Sequence, residues 1–264
     1  MDLSDWNWRE QGTVSLSGEW LFYPDVLLSP AQVTAAGNAD TYRNTLLKVP
    51  AAWDIAKANG LDVNPRGVGT YVLHLTLPAD APPLALGKID SGTAHRFFVD
   101  QTLVHSAGEV GTTPATTVPG FNRSFAIIPD NSATQRTLVV QVANFDYRTG
   151  GLWEPITFGV RESVYAAAAA SLAYAVFLAS GIGVIGLYHI GLFSQRREDP
   201  SPLYFALLCL AISFRVLSID DRFILQVLPF LNFSGMLRIE FISFLLAPPA
   251  FAGFMRSAMQ VCYS

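Results

Sequence analysis

Ser163–Ser194 reads SVYAAAAASLAYAVFLASGIGVIGLYHIGLFS and contains no Asp, Glu, Lys or Arg. A bilayer's hydrocarbon core is about 30 Å thick, so a helix needs about 20 mostly apolar residues to cross it. Tyr165–Phe193 meets that length with room for tilt, and reads as a membrane span. It opens with Ala166 to Ala170 and later holds Gly181, Gly183, Gly186 and Gly191. Small residues let helix backbones approach closely in lipid. These glycines are either such a packing face or ordinary membrane-helix composition.

Downstream, Gln195–Pro202 is polar and proline-rich, a tight loop between spans. Leu203–Ile219 is a second apolar run, interrupted by Arg215 and closed by Asp220, Asp221 and Arg222. Phe223–Leu237 holds Pro229, Asn232, Ser234 and Gly235, and reads as an interfacial connection. Ile239–Met255 is the third apolar run, with Glu240 at its start and Arg256 at its end. The helical region is thus expected over 163–264, with spans at about 165–193, 203–219 and 239–256. Arg196 and Arg197 on one side are balanced by Arg222 and Arg238 on the other, so the positive-inside rule sets no orientation. Charges within spans are costly and need a partner or a role. Arg215 and Glu240 would meet at one membrane face as an ion pair or snorkel to headgroups; a part in signal transfer is the sharper alternative. Pro248-Pro249 removes two backbone donors inside the third span, so a kink is expected there.

The first 162 residues are in a different solvent. The whole chain is 51% hydrophobic and 14% charged, against about 25% charged in soluble domains, and most of its charge precedes residue 163. Short β-rich runs recur between turn residues: Val14–Tyr23, Tyr71–Leu77, Leu84–Ile89, Arg96–Val99, Thr102–His105, Phe125–Ile128, Leu138–Ala143 and Ile156–Val160. In the second, Tyr71, Leu73, Leu75 and Leu77 share one face, and His74 and Thr76 the other. Such a series predicts an all-β sandwich of jelly-roll type over 1–162, followed by the transmembrane helices.

The net charge of −4 and the lack of a long basic run argue against nucleic acid as a partner. Cys209 and Cys262 both lie in the apolar half, so the sandwich has neither a disulfide framework nor a cysteine metal site. Met1-Asp2-Leu3-Ser4-Asp5 is not a secretory leader; either this half stays in the cytosol, or the natural start lies upstream. There is no Gly-x-Ser-x-Gly elbow, phosphate loop or His-Glu-x-x-His. His74, His95, His105 and His189 show no ligand spacing, and Glu19, Glu109 and Glu154 do not form a recognisable acid–base pair. The expectation is a binding protein with no catalytic residues, metal or cofactor.

Aromatic and polar residues do cluster. Trp6 and Trp8 lie near the start, Trp53 follows Val49-Pro50, and Asn144-Phe145-Asp146-Tyr147-Arg148-Thr149-Gly150-Gly151-Leu152-Trp153-Glu154 joins the last two strands. Tryptophans fill sandwich cores, and Asp146 with Arg148 could be a loop salt bridge. The alternative is a ligand site, since flat aromatic faces beside amide, carboxylate and guanidinium groups suit sugars. Asn144, Asp146, Tyr147, Arg148 and Trp153 are the candidate ligand-binding residues, on the ground that strand-connecting loops commonly carry function.

Leu16-Ser17-Gly18-Glu19-Trp20-Leu21-Phe22-Tyr23, Val49-Pro50 with Trp53, Gly69-Thr70-Tyr71-Val72-Leu73, Phe98-Val99-Asp100-Gln101, Gly108-Glu109-Val110-Gly111 and the 142–154 stretch occur in that order. They are followed by Pro202-Leu203-Tyr204-Phe205 and Leu237-Arg238-Ile239-Glu240-Phe241-Ile242-Ser243-Phe244. This order resembles bacterial seven-transmembrane receptors with diverse intracellular signalling modules. Their N-terminal domains are galactose-binding-like jelly rolls, similar to the sugar-binding domain of family 2 glycoside hydrolases. The resemblance implies a multi-pass protein of the cytoplasmic (inner) membrane with its sandwich in the periplasm. It implies a small carbohydrate-like ligand, membrane lipid as a partner, four further spans and a cytoplasmic output module, so that a chain ending at Ser264 is a fragment. A second copy of the chain is a further candidate partner. Two rival readings are a membrane-anchored carbohydrate-binding module and an accessory subunit of a membrane enzyme or transporter.

Overall fold

The computed structural model describes residues 1–36, 42–91, 93–122, 124–130, 133–219, 222–228 and 230–263. Asp220, Asp221 and Pro229, expected in the connection before the third span, lie outside them. In chain order the elements are β1 (Val14–Ser15), β2 (Gly18–Pro24), α1 (Pro30–Ala36), β3 (Thr45–Val49), β4 (Ala51–Ala52), α2 (Trp53–Ala58) and β5 (Gly67–Thr76). Then come β6 (Leu84–Gly87), β7 (Ala94–Val99), β8 (Thr102–Ala107), β9 (Ala126–Ile127), β10 (Gln135–Asn144), β11 (Gly151–Leu152) and β12 (Thr157–Val160). The helices α3 (Arg161–Gln195), α4 (Ser201–Ser218), α5 (Ile224–Val227) and α6 (Phe233–Tyr263) complete the chain. It divides into two units, Met1–Ala168 and Ala169–Ser264.

The first unit is an antiparallel sandwich. A six-stranded sheet runs β3-β2-β5-β10-β7-β8, a four-stranded sheet runs β1-β12-β6-β9, and β11 pairs with β4. The core lies between the two larger sheets. Trp20, Phe22, Tyr71, Leu73, Leu75, Phe97, Leu138 and Val140 meet Leu84, Leu86 and Phe158 there, all buried. The alternation at Tyr71–Leu77 is thus confirmed on its inner face. Its outer face differs: Val72 and Val139 are also buried, beneath Leu28 and Val33. The segment carrying them is tied down by polar groups. Thr70 Oγ1 accepts from Leu28 N at 2.9 Å and donates to Val26 O at 2.8 Å, and Gln141 Nε2 donates to Leu28 O at 3.0 Å.

Val14–Tyr23, which alternates like one strand, is two. β1 belongs to the four-stranded sheet and β2 to the six-stranded one. The chain changes sheets at Gly18, whose φ of 138° few other residues adopt. Leu16 and Trp20 stay buried on either side of the break, so the hydrophobic pattern survives a change of partner.

Among the described residues, three helices are long and apolar enough to cross a membrane, α3, α4 and α6. Their large side chains are widely exposed, Phe177 by 74% and Leu245 by 67%. Helices satisfy their own backbone groups, so lipid can replace water around such faces. α3 starts at Arg161, four residues before the apolar run, because helix formation does not require apolar residues. α6 starts at Phe233 rather than near Ile239, since Asn232 Oδ1 accepts from Gly235 N at 2.8 Å and caps it. α6 continues through Pro248 and Pro249.

Gly183 and Gly186 face α4: a Cβ on Gly186 would sit 3.2 Å from Cys209 Cβ, and Ser213 Oγ donates to Ala179 O at 2.7 Å beside them. Gly181 and Gly191 face open space. Arg215 meets Glu240 through the backbone, not the carboxylate. Its Nη1 lies 3.4 Å from Glu240 O, and its Cζ sits 4.8 Å from the Phe244 ring centre, a cation–π contact.

A Cβ on Gly253 would fall 2.6 Å from the Tyr204 ring. Gly253→Leu is therefore expected to destabilise the helical unit by about 1–3 kcal/mol through overpacking. Gly181→Leu, with nothing in its way, should leave it unchanged. Thermal unfolding of the solubilised chain measures both, and equal effects would refute the packing assignment.

Candidate functional site

β10 ends at Asn144, whose side chain holds the turn that follows. The buried Asn144 amide donates to Pro65 O at 2.9 Å and to Tyr147 O at 3.1 Å, while Oδ1 accepts from Tyr147 N at 3.0 Å. Such local bonding is why Asn starts turns. Gly150 then lies flat on Trp53: a Cβ there would fall 2.6 Å from the indole ring. Gly150 O accepts from Trp53 N at 2.9 Å and from Trp153 Nε1 at 3.1 Å, and Gly150 N donates to Pro65 O at 3.0 Å. Thr149 Oγ1 accepts from Asp54 N at 3.0 Å. Trp53 itself is fully buried, with Nε1 donating to the Tyr71 hydroxyl at 2.6 Å.

This scaffold turns the remaining groups outward. The Tyr147 and Trp153 rings, both half-buried, are 5.2 Å apart at 37°. Arg148 is 84% exposed and its Nη2 lies 3.8 Å from Asp54 Oδ2. Asp146 is exposed on the same loop. Four of the five candidates from the sequence therefore face outward together. Asn144 does not: its amide is committed to Pro65 O on one side and to the Tyr147 backbone on the other, so it braces the loop from within. Arg148's partner is also corrected, from Asp146 in the same loop to Asp54 on α2. Asp54 was not legible as a site residue, because only the pairing of β11 with β4 brings α2 beside the loop. An ion pair this exposed contributes little to stability, which leaves both charges available. The arrangement offers two tilted aromatic faces for C–H groups, with a cation and two carboxylates for hydroxyl or charged groups.

Trp6 and Trp8 line a separate cavity of about 690 Å³ with Asp5, Arg9 and Asp80. Trp8 is buried and packs edge-on to Phe158, while Trp6 donates Nε1 to Gly12 O at 3.2 Å. Their Trp-x-Trp spacing was the available signal. Trp20, Trp53 and Trp8 are core residues, as sandwich tryptophans commonly are.

Two histidines without ligand spacing do meet. β7 and β8 pair Phe97 with His105, which places His95 and His105 diagonally on one face. A hydrogen-bonded chain results: Ser91 Oγ to His95 Nδ1 at 2.7 Å, His95 Nε2 to His105 Nδ1 at 3.1 Å, and His105 Nε2 to Ser124 Oγ at 3.0 Å. Burial pushes His95 down to about 3, with the neighbouring His105 adding to the effect and Asp90 opposing it. Burial likewise pushes His105 down to about 4. So weak a base is ill-suited to activating Ser124, and the chain reads as a neutral internal brace.

Residues 170–263 match the family model described as 7TM diverse intracellular signalling. The resemblance read from the sequence thus holds for the helical region, and the chain is a membrane protein. No curated protein matches it in sequence. Among solved structures it is similar to a GH2 beta-galacturonidase from Eisenbergiella tayi, with 14% identity over 56% of this chain and 24% of that one, at a TM-score of 0.37. A beta-glucuronidase of Ruminococcus gnavus gives 13% identity, 56% and 28% coverage and a TM-score of 0.38. One from Faecalibacterium prausnitzii gives 14%, 55%, 31% and 0.40. The chain spans only 24–31% of the length of these three structures.

The histidine chain has a measurable consequence. Unfolded, both rings take up protons near the ordinary value of 6.5; folded, they stay neutral until about 4 and 3. Between these limits the unfolded state binds more protons, so the sandwich loses stability as pH falls from about 7 to about 4. The slope from this pair reaches at most about 2.7 kcal/mol per pH unit. Urea unfolding at pH 7 and 5 measures it, and His105→Gln should reduce the slope. A slope unchanged by that substitution would count against the brace.

Proposed function

We propose that this chain is the ligand-sensing portion of a membrane receptor. Its sandwich binds a small carbohydrate-like ligand on the outer side of the cytoplasmic membrane, at the ledge formed by Tyr147, Trp153, Arg148, Asp146 and Asp54. The observation that carries this reading is the pairing of two features on one chain. A rigidly scaffolded aromatic and charged ledge precedes a helical region that matches seven-transmembrane signalling proteins. The loop is braced from beneath by Trp53 and Asn144, so its outward groups are pre-organised and binding orders little. On this reading the chain binds and transmits, and catalyses nothing itself. The carboxylates of the ledge serve as hydrogen-bond acceptors. Transmission needs a ligand that binds two receptor states unequally, with membrane helices as the element that repacks.

Trp153→Ala should weaken binding of the best-bound glycan by about tenfold or more, and Arg148→Ala comparably. A glycan screen on the purified full chain, followed by titration of both variants, measures this. Unchanged affinity in folded variants would remove the ledge as the site. The proposed orientation has its own test. The sandwich has no cysteine, so Leu103→Cys, at a position 50% exposed, introduces a single label there. A membrane-impermeant maleimide should react from the outer side of intact spheroplasts; reaction only after lysis would reverse the orientation.

A further inference from the structure

Among the described residues of the sandwich, Arg136 is the most deeply buried charge to carry an unmet donor. Its side chain is 5% exposed, and Nε donates to Asp100 Oδ2 at 2.7 Å. Nη1 donates to Pro129 O at 3.2 Å, but Nη2 has no partner among the described residues. A buried charged donor left unpaired is costly, and native structures rarely leave one so. Arg136 lines a cavity of about 170 Å³, walled by Pro78, Ala81, Pro82 and Pro129. This is several times the roughly 30 Å³ share of one water. The prolines on that wall carry no N–H, and among the described lining residues Arg136 brings the one cationic donor group.

The carboxylate on the cavity wall is Asp130, and it is already engaged. Arg161 Nη2 donates to its Oδ1 at 3.1 Å and its Oδ2 at 3.3 Å. Arg161 Nε is itself buried without a partner among the described residues. Asp100 and Asp130 thus balance the two arginines in charge, yet donors on both guanidiniums remain unfilled. Acceptor-only groups with several oxygens suit such donors best. We propose that this cavity is a site for a small oxyanion, phosphate being the type, held by Arg136 and screened from Asp130 by Arg161. The site is separate from the aromatic ledge and does not depend on it. Arg161 is the first residue of α3, and the apolar run of that helix begins four residues on, about 6 Å of rise. The phosphate can therefore come from a lipid headgroup or from solution.

The test uses the full chain in dodecyl maltoside micelles, which carry no phosphate, with unfolding of the sandwich followed by tryptophan fluorescence. Inorganic phosphate at about ten times its dissociation constant should raise the midpoint by about 4 °C over chloride of matched ionic strength. Ala81→Leu fills the cavity from its wall without touching Arg136, and should abolish that rise while leaving the midpoint in chloride intact. Arg136→Lys, which keeps the charge but loses the fork, should also abolish it. No rise in the wild type means that water alone fills the cavity, and overturns the proposal; so does a rise that survives Ala81→Leu. Phosphatidylglycerol nanodiscs separate the sources. A response to inorganic phosphate lost there identifies the lipid phosphate as occupant, and a response kept there identifies the free anion.

Discussion

The buried indole of Trp53 is the contact on which the end of the sandwich that carries the proposed ledge rests. It closes the core against Phe22 and hydrogen-bonds Tyr71 from one side. From the other it supports Gly150, whose missing side chain is what allows the loop to lie on the ring. One large side chain thus links the central strand β5, the start of α2 and the β10–β11 loop. Rigidity passes outward from there: Asn144 and Thr149 hold the backbone, and Tyr147, Arg148, Asp146 and Trp153 are among the groups left to meet solvent. A binding surface built this way loses little entropy on binding, because ordering has occurred during folding.

The helical unit obeys a different constraint. Lipid offers no hydrogen bonds, so polarity inside it must be resolved locally. Ser213 and Ser243 both donate to helix carbonyls, and Arg215 turns to a carbonyl and an aromatic ring. A carboxylate partner for Arg215 would have required desolvating a second charge. Close approach comes from Gly186 against α4 and from Gly253 beneath Tyr204. Gly181 and Gly191, also on α3, meet nothing. Identical residues thus do different things according to the neighbour they meet, and composition alone cannot separate them.

Much of the fold was legible because both of its periodicities are strong. Tyr71, Leu73, Leu75 and Leu77 alternate and are buried as a row, and the uncharged Ser163–Ser194 stretch is helical throughout. A local pattern misleads where it outlives a change of partner. Val14–Tyr23 keeps its alternation across the switch of sheets at Gly18, so the pattern does not reveal that there are two strands. Val72 and Val139 are buried on the face that alternation assigns to solvent, because a distant segment at Leu28 and Val33 covers it.

The sequence by itself determined that a β-rich domain precedes membrane helices, since solvent preference is a property of each residue's own side chain. It also marked the 144–153 loop, through the density of aromatic and charged residues there. Only the tertiary structure decided which of those residues face outward. Asn144 turns in because Pro65 O and Tyr147 lie within its reach, and Asp54 joins the ledge because β4 pairs with β11. Only the fold, likewise, brought His95 to His105 and left Arg136 buried beside a cavity with a donor to spare. Such relations depend on which distant backbone arrives at a side chain, and strand pairing across the sheet, not local composition, sets that.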